Sequence, residues 1–316
     1  MQSRHFWLSK EVFVGLFFAL LVAAPVLVFG SSKVIFVDGN ASGSEEGTSA
    51  HPYQSIKKAL DHAKGGTEVR VKNGDYKENI TIPKDVKVVA DSEDRDKVTI
   101  KAHNEKKPVV VMKDGAELSY VTVKNGNYGV HILSDARAHL YNVVVKNNSS
   151  DGIHIESASV DKRHRVIIDT VEVTRNGRAG IFSEKRSLTI LDSYMTLNKS
   201  DGTDLAGGTE AWLESTSFSG NKGSGLKLTL DGSSISGKKN NIRSNAREGV
   251  EINSRGASGS ITFQKDTIVK NGRFGIARVA RTAAGYNFGG LVYGSGVNVN
   301  KIDQNGLGSI SRVIGQ

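Results

Sequence analysis

Residues 195–202 read MTLNKSDG, and five more segments repeat this pattern: an apolar residue, an Asn three positions later, and a Gly four positions after the Asn. The five are VKNNSSDG at 145–152, VTRNGRAG at 173–180, FSGNKGSG at 218–225, IRSNAREG at 242–249 and IVKNGRFG at 268–275. One earlier pair, Asn125 with Gly129, has a shorter lead-in. From Gly129 onward, successive glycines are 23, 28, 22, 23, 24 and 26 residues apart. A period of this length is typical of a solenoid, a propeller or another repeat array.

The apolar residues within each unit decide among these architectures. They come as short alternating pairs, such as Val171 with Val173 and Ile153 with Ile155. Such alternation is the period of a strand with one buried face, not of a helix. Each unit therefore reads as strand, turn, strand, turn. Units of this length are too short for a four-stranded propeller blade and fit one circuit of a parallel β-helix.

The recurring Asn and Gly have an expected structural role in such a solenoid. Both residue types tolerate positive φ, so we expect them to turn the chain sharply between strands. Stacked asparagines also hydrogen-bond to one another along a ladder. The predicted turn ladder consists of Asn148, Asn176, Asn198, Asn221, Asn245 and Asn271.

The first 32 residues read as an export segment. Arg4 and Lys10 precede an uncharged stretch over residues 12–30, and no clean small-x-small cleavage site ends that stretch. Its length fits the core of a long signal peptide or an uncleaved membrane anchor, and both alternatives stay open. Because positive residues stay on the cytoplasmic side, either alternative predicts that the β-helix is secreted, periplasmic or held on the outer face of the membrane. If the segment stays uncleaved, residues 12–30 are the only predicted contact with a membrane.

Residues 33–316 are predicted to form one β-helix domain, because a solenoid grows along one axis and needs no second core. Within it, residues 33–67 hold a strand, a polar loop and a short helix. Ile56, Ala59, Leu60 and Ala63 make one apolar stripe on that helix, and Gly65 and Gly66 end it. We interpret the helix as a cap over the open end of the solenoid. Residues 68–281 are the coils, and residues 282–316 are a last coil and tail.

Charge and composition narrow the classes of partner. Lys and Arg number 42 against 33 Asp and Glu, and there is no cysteine, so disulfides and thiolate metal sites are excluded. A basic protein outside the cytoplasm meets acidic polysaccharide or anionic cell-surface polymer more often than nucleic acid. The predicted partner is therefore an acidic polysaccharide and not a nucleic acid. The alternative is that a modest positive excess only keeps the protein soluble.

Several short segments near the N-terminus carry a family resemblance. These are FVDG at 36–39, GT at 47–48, HPY at 51–53, SI at 55–56, AL at 59–60, GT at 66–67, VRV at 69–71 and GDYKE at 74–78. They resemble the N-terminal segment of bacterial right-handed parallel β-helix proteins of the pectin-lyase-like superfamily, and the repeats resemble its coils. The resemblance implies an all-β, single-stranded, right-handed parallel β-helix. It implies little about activity, because that superfamily includes lyases, hydrolases, epimerases, tailspikes and proteins with no known activity.

The family's catalytic signatures do not transfer to this chain. The paired aspartates with Gly-His-Gly and Arg-x-Lys of polygalacturonases are missing, and so is the Asp-Pro-His-Asp of alginate epimerases. No clustered aspartates with a downstream Arg suggest the calcium site of pectate lyases. Any site must therefore be argued from the residues themselves.

Residues two positions after each turn glycine are expected to point outward, because their neighbours on both sides point inward. They form one predicted outward column: His131, His154, Phe182, Asp204, Lys227, Glu251 and Ala277. The next outward positions add Glu156, Glu184, Thr229 and Asn253 beside it. Histidines, an aromatic ring, two acids and a lysine form a richer set than a solvent-facing strand requires.

Three functions are compatible with this outward column. In the first, the protein binds a sugar chain, with Phe182 stacked on a ring, Glu156 and Glu184 beside it and Lys227 paired with a uronate. In the second, it is a polysaccharide lyase, epimerase or hydrolase whose candidate catalytic residues transfer protons and stabilise an enolate. Those candidates are His131, His154, Asp204, Lys227 and Glu251. In the third, the column consists of surface residues that keep the protein soluble and discourage edge pairing, and the protein is a structural spacer or adhesin stalk.

A loop near the N-terminus is the only candidate for a bound cofactor. Asp38, Asn40, Ser42 and Gly43 follow the start of a calcium-binding loop, but Ser49 stands where such a loop requires Glu. The sequence thus predicts no cofactor and leaves calcium at this loop as the single alternative.

Overall fold

The structure is a computed structural model that describes residues 33–158, 165–253, 259–278 and 299–311, together with the backbone of residues 286–291. The predicted export segment, residues 1–32, lies outside these ranges. Within them, no helix is long and apolar enough to cross a membrane.

The described chain contains thirty-one strands and one α-helix, numbered in chain order. The first elements are β1 (Val34–Val37), α1 (Ile56–His62), β2 (Glu68–Val71), β3 (Gly74–Lys77), β4 (Ile80–Ile82), β5 (Lys87–Ala90), β6 (Val98–Lys101), β7 (Val110–Met112), β8 (Ala116–Ser119), β9 (Thr122–Lys124) and β10 (Val130–Ile132). Next come β11 (Ala138–Tyr141), β12 (Val144–Lys146), β13 (Ile153–Ile155), β14 (Val166–Asp169), β15 (Glu172–Thr174), β16 (Ile181–Ser183), β17 (Ser187–Leu191), β18 (Tyr194–Thr196), β19 (Thr203–Leu205), β20 (Glu210–Glu214) and β21 (Ser217–Ser219). The last are β22 (Leu226–Thr229), β23 (Ser234–Lys238), β24 (Asn241–Arg243), β25 (Val250–Asn253), β26 (Gly259–Gln264), β27 (Thr267–Val269), β28 (Phe274–Arg278), β29 (Tyr286–Leu291), β30 (Lys301–Asp303) and β31 (Gly308–Ile310).

The strands form three parallel sheets, and each coil contributes one strand to each sheet. Sheet A has eleven strands in the order β1-β2-β5-β8-β11-β14-β17-β20-β23-β26-β29. Sheet B has ten, from β3 and β6 through every third strand to β30, and sheet C has ten, from β4 and β7 to β31. This is the predicted parallel β-helix, and its coils stack along one axis.

Stacked apolar side chains fill the interior of the helix. The apolar residues three positions before each ladder Asn lie in register on sheet B and are fully buried: Val145, Val173, Met195, Phe218, Ile242 and Ile268. On sheet A, Gly237 lies beside Phe263, and a Cβ on Gly237 would be 2.5 Å from the Phe263 Cδ1 atom. The large ring thus occupies the volume that the missing side chain leaves.

Each coil has three strands, whereas the repeat pattern led us to expect two. The strands of sheets A and B are separated by only two residues, such as Asn142 and Val143 between β11 and β12. The alternating apolar pattern runs across this short turn, so the two strands read as one in the sequence.

The predicted asparagine ladder is present at the corner between sheets B and C. Asn198 is typical: its Oδ1 atom accepts hydrogen bonds from the backbone N–H and the Nδ2 of Asn176, at 3.0 and 3.1 Å. Its Nδ2 donates to the carbonyl of Val173 at 3.1 Å. All six predicted members are at least 98% buried, and Asn305 continues the ladder beyond Asn271.

The backbone explanation holds for Asn125, which has a φ of 68°, but it is wrong for the ladder asparagines and the turn glycines. Positive φ occurs at the residue before each ladder Asn, for example 57° at Asn147 and 56° at Leu197, and not at the ladder asparagines or the turn glycines. The glycines are required because the corners pack too closely for a side chain. A Cβ on Gly202 would be 2.5 Å from the Gly225 carbonyl oxygen.

A second ladder, which the repeat pattern did not predict, lies at the corner between sheets A and B. The first member accepts the backbone N–H of Val171, and each later member accepts the backbone N–H of the member one coil earlier. Its members are chemically mixed: Ser193, Thr216, Asn240, Asp266 and Asn300.

Helix α1 covers the N-terminal end of the stack, as predicted. Ile56, Ala59 and Leu60 are buried, and the helix packs against β1, β2 and β4. The Ser55 hydroxyl accepts the N–H of Lys58, and the carboxylate of Glu78 accepts the first helical N–H groups. The apolar lumen is therefore closed at this end.

Candidate functional site

The outward column occupies one straight row on sheet C. Backbone register pairs each member with the next, so that one member lies on every coil. Neighbouring members are thus roughly 4.8 Å apart at the backbone. The row divides into an aromatic half and a charged half.

The three rings of the aromatic half, His131, His154 and Phe182, pack together with a fourth ring from outside the row, Tyr128. The rings of Tyr128 and His154 are parallel with centroids 4.4 Å apart, and His154 stacks on Phe182 at 5.2 Å. The ring of His131 meets His154 edge-on at 5.4 Å. One face of Phe182 is therefore covered by His154 and is closed to a sugar ring.

Each histidine in the stack also faces a carboxylate. His131 Nε2 lies 2.8 Å from Glu156, and burial lowers the pKa of His131 although Glu156 acts to raise it. His154 Nδ1 lies 3.1 Å from Asp151, a fully buried residue. Because a carboxylate only accepts hydrogen bonds, Asp151 holds the proton of neutral His154 on Nδ1 and leaves Nε2 as the acceptor.

The charged half centres on an ion pair between neighbouring coils. Lys227 Nζ lies 2.8 Å from Asp204 Oδ2. Burial raises the pKa of Asp204, and Lys227 opposes that shift. For Lys227 itself, burial acts to lower the pKa, but the hydrogen bond to Asp204 and the nearby charges outweigh it and raise the pKa.

Glu251 ends the charged half and is less accessible than an outward residue should be. It is 5% exposed, because the Ser224 hydroxyl donates to its Oε2 at 2.8 Å and Arg247 lies 3.4 Å away. The Nδ2 of Asn253 reaches its other oxygen at 3.2 Å. Ala277, the next member, is also buried.

Residues that the sequence analysis missed come from the position before each turn glycine. We call these the pre-glycine column: Tyr128, Asp151, Ala179, Asp201, Ser224, Glu248 and Phe274. Asp201 belongs to the charged half: it accepts the Ser224 N–H at 2.7 Å, and burial raises its pKa. Glu248 is fully buried and pairs with Arg273 at 2.6 Å. Acidic residues recur one position before the turn glycine, and this recurrence could have identified these site residues from the sequence.

The structure brings the predicted residues together in two groups rather than one. Asp204, Lys227 and Glu251 are neighbours, as are His131, His154 and Glu156. His154 is three coils from Lys227, roughly 14 Å along the axis. A histidine and Lys227 therefore do not reach the same sugar atom, so the candidate catalytic residues cannot act as one set. Glu184 is exposed and Thr229 half-buried on the same side.

The arrangement has a definite chemical capacity. Asp201 and Asp204 both lie close to the Lys227 ammonium, and burial raises the pKa of each of these two carboxyl groups. The calcium candidate is different: Asp38 lies 3.6 Å from Lys72, and its other oxygen accepts the Asn40 N–H. Across the described ranges, no three His, Asp or Glu side chains cluster in a way that could hold a metal ion.

The family model for the right-handed β-helix region matches residues 128–307, more than half of the chain. The chain therefore belongs to the right-handed β-helix family. The right-handed parallel β-helix expected from the sequence is confirmed.

Three solved structures share the fold at low sequence identity. Pectate lyase Pel9A is 14% identical, with a TM-score of 0.54 over 88% of this chain and 78% of its own. The alginate lyase from Paenibacillus sp. str. FPU-7 is 11% identical, with a TM-score of 0.54 over 81% and 94%. The A-module of the Azotobacter vinelandii mannuronan C-5 epimerase AlgE4 is 15% identical, with a TM-score of 0.50 over 87% and 97%. No curated protein matches the chain in sequence.

Proposed function

We propose that this β-helix binds a polysaccharide along the outward column of sheet C. One observation carries the proposal: aromatic rings and paired charges occupy a single straight row, one residue per coil, where a linear polymer can lie along the axis. Most of these side chains are half-buried and fixed by hydrogen bonds, so little conformational entropy is lost on binding. Three proteins that share the fold are, by name, a pectate lyase, an alginate lyase and a mannuronan epimerase.

Catalysis at the charged half is the second candidate. The raised pKa values of Asp201 and Asp204 beside Lys227 favour it. In a β-elimination, a carboxylate would take the C5 proton of a uronate while the Lys227 ammonium stabilises the enolate. The electron pair then forms the C4–C5 double bond, and the C4 oxygen leaves with a proton from a second carboxyl group. An epimerase would instead return a proton to the opposite face of C5.

A double variant, Asp204→Asn with Lys227→Gln, tests the binding proposal. It removes both charges without leaving one buried and unpaired, which would confound the result. We expect weaker retardation of the full-length chain in gels containing alginate, pectin or polygalacturonate. The matched control is Glu214→Gln with Lys238→Gln, a cross-strand pair 3.6 Å apart on sheet A. Equal retardation of the two variants and the unaltered chain would refute binding at the column.

The same polymers distinguish catalysis from binding. Unsaturated uronides would report a lyase, new reducing ends a hydrolase, and an altered uronate composition an epimerase. Retardation without any of these products assigns binding alone. If no polymer retards the protein and no product forms, only the structural spacer remains.

Export is part of this proposal. The uncharged stretch at residues 12–30 supports a location outside the cytoplasm, as a cleaved or an anchored protein. Cell fractionation followed by N-terminal sequencing of the mature chain tests it. A full-length chain in the cytoplasm would contradict export.

A further inference from the structure

Four lysines occupy one row on the outer side of sheet B. They are the last residues of β3, β6, β9 and β12, and backbone register pairs Lys77 with Lys101, Lys101 with Lys124 and Lys124 with Lys146. We call this row the lysine ladder. On the C-terminal side of Lys146 the row continues with three uncharged residues, Thr174, Thr196 and Ser219, before Arg243.

The lysine ladder is an unfavourable arrangement for the protein alone. Equivalent residues on stacked strands are roughly 4.8 Å apart, and like charges directly opposite one another destabilise a sheet. No carboxylate of the described chain forms an ion pair with these four lysines. Lysines in the other sheets are paired across strands: Lys87 with Glu117 at 2.8 Å and Lys227 with Asp204 at 2.8 Å.

A groove of about 850 Å³ lies beside the lysine ladder, at the corner between sheets B and C. Asn125 and Asn147 line it and directly follow Lys124 and Lys146 in the sequence. Four cations line this corner groove against a single acid, Glu105: Lys106, Arg175, Lys199 and Lys222. All four cations are exposed, and none forms an ion pair with a carboxylate in the described part of the chain. The unpaired positive charge of this surface is therefore concentrated around one concave feature.

We propose that the lysine ladder and the corner groove bind a linear polyanion, and that this ligand is a carboxylated polysaccharide. One cation per coil matches a polymer with one anionic group per monomer. The site shares no residue with the outward column of sheet C, so it does not depend on the function proposed there.

Two features favour a carboxylated polysaccharide over other anions. The residues lining the corner groove include no aromatic side chain, whereas proteins that bind single-stranded nucleic acid stack bases on aromatic rings. The surface is concave along the axis, which suits an extended chain better than the plane of an anionic membrane.

The triple variant Lys101→Gln/Lys124→Gln/Lys146→Gln tests the site in the full-length chain. With polygalacturonate as the probe at low ionic strength, we expect at least a tenfold loss of affinity. The unaltered chain should lose affinity steeply as NaCl is added, and the variant less so. The thermal midpoint of the variant should be unchanged or higher, because the substitutions remove repulsion; a structural role for the lysines would lower it.

The matched control is Lys57→Gln/Lys239→Gln/Lys265→Gln, which removes the same charge from exposed positions away from the lysine ladder. It should bind polygalacturonate as the unaltered chain does. Equal weakening of both triple variants would mean that only net charge matters, and would overturn the site. The site would also be overturned if the lysine-ladder variant bound polygalacturonate normally while the Asp204→Asn/Lys227→Gln variant did not. Tighter binding of an oligonucleotide or of anionic vesicles than of polygalacturonate would overturn the assignment of the ligand.

Discussion

At the scale of single residues, each ladder asparagine satisfies backbone groups on two neighbouring coils. Removing the side chain by Asn198→Ala leaves the N–H of Asn176 without its partner in a buried corner and removes a hydrogen bond from the carbonyl of Val173. Each orphaned buried group costs about 1–3 kcal/mol. We expect the free energy of unfolding to fall by roughly 2–5 kcal/mol, measured by urea titration followed by circular dichroism.

Asn73→Ala is the control for this substitution, because Asn73 is exposed and lies outside both ladders. We expect it to change the free energy of unfolding by less than about 0.5 kcal/mol. If Asn198→Ala were as mild as the control, the ladder would be a consequence of stacking and not a source of stability.

Asp266 is the one ionisable member of the second ladder, and burial raises its pKa to about 7. Its Oδ1 accepts the Asn240 N–H, while its buried Oδ2 has no partner. In Asn240 and Asn300, the atom equivalent to Oδ2 is an amide nitrogen that donates to a backbone carbonyl. A protonated carboxyl can donate a hydrogen bond to a backbone carbonyl, as that amide does, whereas an ionised carboxyl is repelled by the carbonyl oxygen. The protonated form is therefore the one that fits.

The raised pKa predicts that stability falls as pH rises. An unfolded Asp loses its proton near pH 4, whereas folded Asp266 keeps its proton until about pH 7. Between these values the folded state binds more protons, so the free energy of unfolding decreases, and above pH 7 this contribution is constant. Asp266→Asn should match the unaltered chain near pH 4 and exceed it at pH 8 by up to roughly 4 kcal/mol.

Thermal midpoints measured from pH 4 to pH 8 test this prediction. Asp192→Asn, at an exposed position of a neighbouring corner, is the control and should follow the unaltered chain throughout. Parallel pH profiles for Asp266→Asn and the unaltered chain would show that Asp266 ionises as an ordinary surface carboxyl does.

The sequence reveals some of these residue-level features because they repeat. Six ladder asparagines recur at a fixed offset from a glycine, so their stacking was predictable. Asn305 was missed because Ser309 stands where the glycine would be. The second ladder has no common residue type, only a common hydrogen-bonding position, so no sequence repeat marks it. Glu251 was expected to be exposed because alternation gives the direction of a side chain but not the neighbours that cover it.

At the scale of elements, the tight corners depend on glycine for space. Gly202→Ala would place a Cβ 2.5 Å from the Gly225 carbonyl and 2.8 Å from Asn221 Nδ2. The first atom is backbone and the second belongs to the asparagine ladder, so the corner must shift. We expect the thermal midpoint to fall by several degrees, because overpacking costs about 1–3 kcal/mol. Gly65→Ala is the control, since its added Cβ has no neighbour closer than 3.6 Å. Equal midpoints would mean that the corners are looser than their geometry indicates.

Strand order and register were predictable at this scale, but the number of strands was not. Once Val145, Val173 and Met195 occupy equivalent positions, parallel stacking in register follows. The bend between sheets A and B takes only two residues, and the first, such as Thr170 or Ser215, has positive φ without being glycine. A bend made by ordinary residues leaves no composition signal.

At the scale of the whole molecule, the positive charge is distributed unevenly. On sheet C the charged half pairs Lys227 with acids, whereas the lysine ladder on sheet B is unpaired. The net charge of +9 by itself predicted a basic surface but not its location. The register of the strands gives the location of the positive charge. Lysines that are about one coil apart in the sequence lie next to one another on sheet B and form the lysine ladder.

A solenoid also differs from a globular domain in how far a local defect spreads. Each coil contacts only its neighbours, so stability is approximately a sum over coils and their interfaces. Ile56→Ala opens a cavity under the cap helix, where the side chain is fully buried, and should cost about 2–5 kcal/mol at that end. We expect faster amide hydrogen exchange in α1, β1 and β2 and unchanged exchange in β16, β19 and β22, measured by mass spectrometry. Lys57→Ala, on the exposed face of the same helix, should leave both regions unchanged. Faster exchange throughout the coils would instead mean that the whole β-helix unfolds as one cooperative unit. The cap helix α1 would then control the stability of every coil.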